Sequence, residues 1–114
     1  MSFEPKILII REDLFALTGR DYLEALLLHR FLQKDFNDWQ HYPYDQFHKD
    51  MLLYQNKGSK INKAIQRLID KDYIEKRYSG AHRAQANSFL THVRIINRDL
   101  IRLGYPEYVE SHAL

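Results

Sequence analysis

The chain has 114 residues, a hydrophobic fraction of 45% and a formal net charge of +2. That length suits one domain with a real core, and that apolar content argues against disorder. The absence of cysteine excludes a disulfide scaffold, a thiol nucleophile and any Cys-ligated zinc site. No apolar run approaches the ~20 residues that a membrane-spanning helix needs. The first residues, Met1 to Lys6, lack the basic-then-apolar layout of a secretory signal. The expectation is a soluble, cytoplasmic protein without a membrane partner.

Residues 7–10 are a short β-branched run after Pro5 and predict a short N-terminal strand. Arg11 to Leu17 predicts a short helix ended by Thr18 and Gly19. A longer helix is expected from Asp21 to about Phe36, with Tyr22, Leu23, Leu26, Leu27 and Phe31 at helical spacing. Leu28 and Leu32 widen its apolar arc, so this helix should pack on more than one side. Residues 37–44 break the pattern, and Pro43 disfavours a continuous helix. Asp45 suits the cap of a third helix running to about Tyr54, with Phe47, Met51 and Leu52 facing inward.

Residues 55–58 predict a turn, after which Ser59 caps a fourth helix over 59–71. Ile61, Ile65, Leu68 and Ile69 form its apolar stripe, and Ala64 permits close approach. The stretches 73–78 and 88–96 favour strands, and Gly80 and Asn87 lie in the polar stretch that joins them. Asn97 then reads as the cap of a last helix, Arg98 to Leu103, closed by Gly104 and Pro106. The fold class is α+β: one domain, mostly helical, with a C-terminal β-hairpin.

The order helix, turn, helix, hairpin is that of a helix–turn–helix, at about 45–71, followed by a hairpin at about 73–96. In such a unit the first helix braces the second, whose free face can enter the major groove. The free face of residues 59–71 carries Lys60, Asn62, Lys63, Gln66, Arg67 and Asp70. Between Lys57 and Arg83 eight basic residues outnumber three acidic ones, a local net charge of +5. The positive charge therefore concentrates on the elements expected to face DNA.

The stretch from Ser59 to Ile74 resembles the winged-helix pattern: a small polar cap, an apolar-spaced helix, a charged turn and an aliphatic residue that opens the wing. Asp72 stands where many members carry glycine. Residues 10–32 and 98–106 are similar to winged-helix proteins of bacterial mobile elements, some associated with replication initiation. This resemblance implies duplex DNA binding in transcription control or mobile-element replication.

The candidate DNA-contacting residues are Lys57, Ser59, Lys60, Asn62, Lys63, Gln66, Arg67, Arg77, His82 and Arg83. Base readout falls to Asn62, Gln66 and Arg67, and phosphate contact to Lys57, Lys60, Lys63, Arg77 and Arg83.

Other readings are plainer. Lys60, Lys63 and Arg67 could be a solvated helix face. The six histidines show no metal-ligand spacing, and no metal or other cofactor is expected. Tyr42, Tyr44, Tyr54, Tyr73 and Tyr78 suit core edges better than base stacking. No catalytic motif is present, and Glu12 and Asp13 read as favourable charges at a helix start. A second function class is a protein-interaction module on the same scaffold, such as an adaptor or an inhibitor of a nucleic-acid enzyme or defence complex. It would contact its partner through Trp39, Tyr42, Tyr44 or the tail residues Tyr105, Tyr108 and Val109. A homodimer through the first strand, last helix and tail stays open, though no heptad pattern demands one.

Overall fold

A computed structural model describes residues 10–33, 39–41, 58–78 and 87–109. In chain order these form α1 (Glu12–Leu17), α2 (Tyr22–Gln33), β1 (Gln40–His41), α3 (Gly58–Asp70), β2 (Ile74–Tyr78), β3 (Asn87–Thr91) and α4 (Val93–Arg102). The fold is mixed α and β. Most of the expected strand at 7–10, the third helix at 45–54, the end of the second helix and the hairpin tip lie outside the described residues.

Helix α2 is the hub. Asp21 caps it, accepting the Glu24 N–H at 2.9 Å through Oδ1. Leu23 and every residue from Ala25 to Leu28 are buried, as are Phe31 and Leu32, so the helix is covered on several sides as its wide apolar arc implies. Tyr22 is the exception to the expected stripe. It is 58% exposed and lies against Phe15 of α1, with ring centroids 4.8 Å apart. As the first residue of the helix, it projects past the end of the core.

Helix α3 packs its stripe of Ile61, Ala64, Ile65 and Leu68 into that core, while Ile69 is only half buried. It begins one residue before Ser59, which therefore sits inside the first turn and not at the cap. The helix closes through two tight backbone bonds, Asp72 N–H to Ile69 O at 2.9 Å and Tyr73 N–H to Leu68 O at 3.1 Å. This closure requires a left-handed residue at Asp72, whose φ is 65°. Aspartate tolerates that conformation better than most residues, but glycine adopts it without a steric cost. Asp72 nevertheless adopts the left-handed geometry on which this closure depends.

The chain then forms an antiparallel hairpin in which Ile74 pairs with Thr91 and Tyr78 with Asn87. The two-residue strand β1 adds to the far edge of β3, pairing Gln40 with Phe89 and His41 with Ser88, for a strand order of β1-β3-β2. The sheet's inner face carries Ile74 and Phe89, and the Phe89 ring meets Phe31 of α2 at 5.1 Å. A strand at Gln40 was not expected, because the break in helical periodicity there reads only as loop.

The expected strand at 88–96 needs correction. It ends at Thr91, and α4 begins at Val93. Val93, Ile95 and Ile96 are β-branched, which favours a strand locally. The buried positions Ile96 and Leu100 nevertheless recur one helical turn apart, and that packing prevails. Asn97 consequently lies inside α4 and does not cap it. Its Oδ1 accepts the Tyr108 N–H at 2.8 Å and pins the tail. Gly104, with φ 92°, ends α4 as expected.

Tyr73 ties the hairpin's entrance to α4 by donating its hydroxyl to Asp99 Oδ2 at 2.8 Å. Desolvation, the bond to Asp99 and the Asp99 charge all raise the Tyr73 pKa, against a smaller lowering by Arg98. For Asp99, desolvation pushes upward but is outweighed by hydrogen bonds from Arg98 and Tyr73 and by the charges of Arg98 and Arg102. Its carboxyl therefore sits below its ordinary value. A depressed carboxyl stabilises the fold above the unfolded-state value, and that contribution disappears as pH falls through the folded one. Tyr73→Phe is expected to cost about 1 kcal/mol in urea denaturation at neutral pH, with the deficit shrinking in acid below the usual carboxylate range. A deficit independent of acid would show that the bond to Asp99 is not its source.

Candidate functional site

The exposed face of α3 is built by the same periodicity that buries its stripe. With Ile61, Ala64, Ile65 and Leu68 turned inward, Ser59, Lys60, Asn62, Lys63, Gln66 and Asp70 are exposed. Among the described residues, no ion pair involves Lys60 or Lys63 and no side-chain hydrogen bond involves Asn62. Gln66 donates its amide to Asp70 Oδ1 one turn on, at 3.0 Å.

Arg67 behaves differently. Its Nε donates to Glu24 Oε2 at 2.7 Å, and its Nη2 lies 3.5 Å from Asp21 Oδ2. Lys71 donates to the other Glu24 oxygen at 2.8 Å. The Glu24 side chain is only 3% exposed, whereas those of Arg67 and Lys71 are 43% and 33% exposed. A carboxylate this deep must be compensated, and both of its oxygens are. Arg67, expected to read bases, is thus engaged by α2, with the remainder of its guanidinium reaching the surface.

The basic residues Lys60, Lys63 and Arg67 recur at helical spacing along α3, and Lys71 continues the row in the turn just after it. The C-terminal pair is held by Glu24, with Asp21 near Arg67, while the N-terminal pair meets no carboxylate among the described residues. Lys60 and Lys63, together with Arg67, border a shallow cleft whose other wall is Arg20, Asp21, Tyr22 and Leu23 at the α1–α2 corner.

The remaining expected residues divide in two. Arg77 is exposed on β2 and lays its guanidinium over the Trp39 ring, 4.3 Å from the centroid. This is the range of a cation–π contact, and it joins the segment ahead of β1 to the hairpin. Lys57, His82 and Arg83 lie outside the described residues.

Two residues escaped the sequence reading. Glu24 carried a usable signal, because a lone carboxylate inside the arc Leu23–Leu28 has to find cations when the helix is buried. Arg20 carried none: its membership of the cleft depends on how the α1–α2 corner turns.

Among the described residues, no helix is long and apolar enough to cross a membrane, and no three His, Asp or Glu side chains group as a metal site. Comparison with protein-family models, with curated proteins and with solved structures returns no match.

Glu24→Gln keeps the shape but removes the charge that holds Arg67 and Lys71. It is expected to lower unfolding free energy by about 1–3 kcal/mol, below the cost of breaking a fully buried pair because both cations are partly solvated. Chemical denaturation checks this, and wild-type stability would rule out Glu24 as the brace of α3.

Proposed function

We propose that this chain is a winged-helix protein that binds duplex DNA, with α3 in the major groove and the β2–β3 hairpin as the wing on the backbone or in the minor groove. The element order supports the scaffold: a helix with one free face runs directly into an antiparallel hairpin, and a short strand between α2 and α3 completes the sheet.

The observation that carries the function is the state of Lys60 and Lys63. Both are exposed on the N-terminal half of α3 and neither has a carboxylate partner among the described residues. Cations near a helix N-terminus oppose the helix dipole, and α3 has no acidic residue in its first turn to offset them. An ordinary solvated helix gains stability from the reverse arrangement. An anion laid against this end would satisfy the lysines and the first-turn N–H groups together, which is what a DNA phosphate provides.

Within this reading Asn62 is the leading base-reading residue, Gln66 follows after releasing Asp70, and Arg67 chiefly positions the helix. Lys60, Lys63 and Arg77 take phosphates, together with Lys57 and Arg83. Ser59, in the first turn of α3, and His82, which follows β2 in sequence, complete the set. The resemblance of residues 10–32 and 98–106 to mobile-element proteins favours a setting in transcription control or replication, in the cytoplasm.

For the protein-interaction alternative, Tyr42 and Tyr44 lie outside the described residues and Val109 is 72% exposed, while the remaining aromatic residues it names are engaged within the chain. Trp39 lies under Arg77, Tyr105 donates to Glu12, and Tyr108 lies under Arg11. These aromatic groups have intramolecular partners.

Fluorescence anisotropy on duplex DNA across a salt series tests the proposal. The logarithm of the binding constant is expected to fall linearly with the logarithm of salt concentration. Lys60→Ala with Lys63→Ala should reduce that slope by about two and weaken binding at least ~10-fold. A flat salt response, or wild-type affinity in the double variant, would sink the proposal.

A further inference from the structure

The cleft beside α3 has a second wall that the recognition-helix reading does not use. From the side chains that line it, we infer that the α1–α2 corner, through Arg20, is a further phosphate contact that grips the DNA backbone alongside Lys60 and Lys63. The inference rests on the proposed DNA binding and adds to it an element outside the helix–turn–helix and wing.

Four cations line the cleft, Arg20, Lys60, Lys63 and Arg67, against the one carboxylate of Asp21. That carboxylate is already engaged, since Oδ1 accepts the Glu24 N–H and Oδ2 lies near Arg67. Arg67 is in turn bound to Glu24, so the unpaired charge belongs to Arg20, Lys60 and Lys63. Arg20 is exposed and enters no ion pair among the described residues. Tyr22 adds an exposed ring beside them. Tyr22 and Leu23 also begin α2, where first-turn N–H groups have no intrahelical acceptor. A phosphodiester group is an anion small enough to meet these donors in a shallow, open cleft.

The backbone of the corner points the same way. Gly19 and Arg20 are both left-handed, with φ of 69° and 64°. Two bonds close α1 here, Gly19 N–H to Ala16 O at 3.3 Å and Arg20 N–H to Phe15 O at 2.8 Å. Glycine would adopt the Arg20 conformation without steric cost, whereas arginine is strained in it. Among the described residues the Arg20 side chain enters no ion pair that would offset this strain, its charge acting only at a distance on Tyr105, while a side chain used for binding would justify retaining it.

This conformation supplies a clean variant. Arg20→Gly removes the guanidinium and suits the local backbone, so its melting temperature should match or exceed that of the wild type. In the anisotropy salt series, Arg20→Gly is expected to weaken duplex binding by about 3–10-fold near 100 mM salt and to reduce the salt slope by about one. Unchanged affinity and slope in Arg20→Gly, with binding still lost in Lys60→Ala, would overturn the corner contact and leave the recognition-helix reading standing. Failure of the wild type to bind any duplex would overturn both.

Calorimetry with inorganic phosphate and with a nucleoside triphosphate separates a backbone phosphate from a free one. Binding weaker than millimolar is expected for each. Micromolar nucleotide binding abolished by Arg20→Gly would give the cleft to a free nucleotide and overturn the DNA assignment.

Discussion

The buried carboxylate of Glu24, clasped by Arg67 and Lys71, is the constraint on which the rest of the structure turns. Apolar packing of Ile61, Ala64, Ile65 and Leu68 holds α3 against the core, but such contacts are non-directional and tolerate sliding and rotation. Two charge-assisted bonds to one carboxylate do not. They fix which turn of α3 lies against the first turn of α2, and hence where the other turns project. The brace also divides one basic row into two parts. Its C-terminal half is structural, while its N-terminal half, Lys60 and Lys63, has no carboxylate partner among the described residues and lies beside the α1–α2 corner.

The sheet adds a second fixed element. Because β1 pairs with β3 and Trp39 lies under Arg77, the hairpin is tied to the segment ahead of β1 on one side and to α2 through Phe89 and Phe31 on the other. Tyr73 bonds to Asp99 at the hairpin's base. The described strands of the hairpin are thus held at base and edge against the helical core.

Much of this organisation was legible in the residues. The α3 stripe and the covering of α2 follow from helical spacing, the start of α2 near Asp21 from the same pattern, and the stop at Gly104 from residue chemistry. What escaped was decided by tertiary context. Val93, Ile95 and Ile96 have strand-like side chains, yet the buried pair Ile96 and Leu100 selects a helix. Gln40 and His41 have no alternating pattern of their own, and become a strand because β3 offers an unpaired edge. On the candidate site, exposure of Lys60, Asn62 and Lys63 followed from the phase of the stripe. The engagement of Arg67 did not, because it depends on a carboxylate 43 residues earlier in the chain. Arg20 depends on two successive left-handed residues, of which only Gly19 carries a sequence signal.

The central claim is that the outward face of α3 meets duplex DNA while the Glu24 clasp stays closed. Mapping amide and side-chain NMR shifts during a titration with duplex DNA tests it most directly. The account predicts changes concentrated at Ser59–Lys63 and Gln66, with the Arg67 Nε–H signal retained in its hydrogen-bonded position. Changes confined to α4 and the tail, or none at saturating DNA, would contradict it.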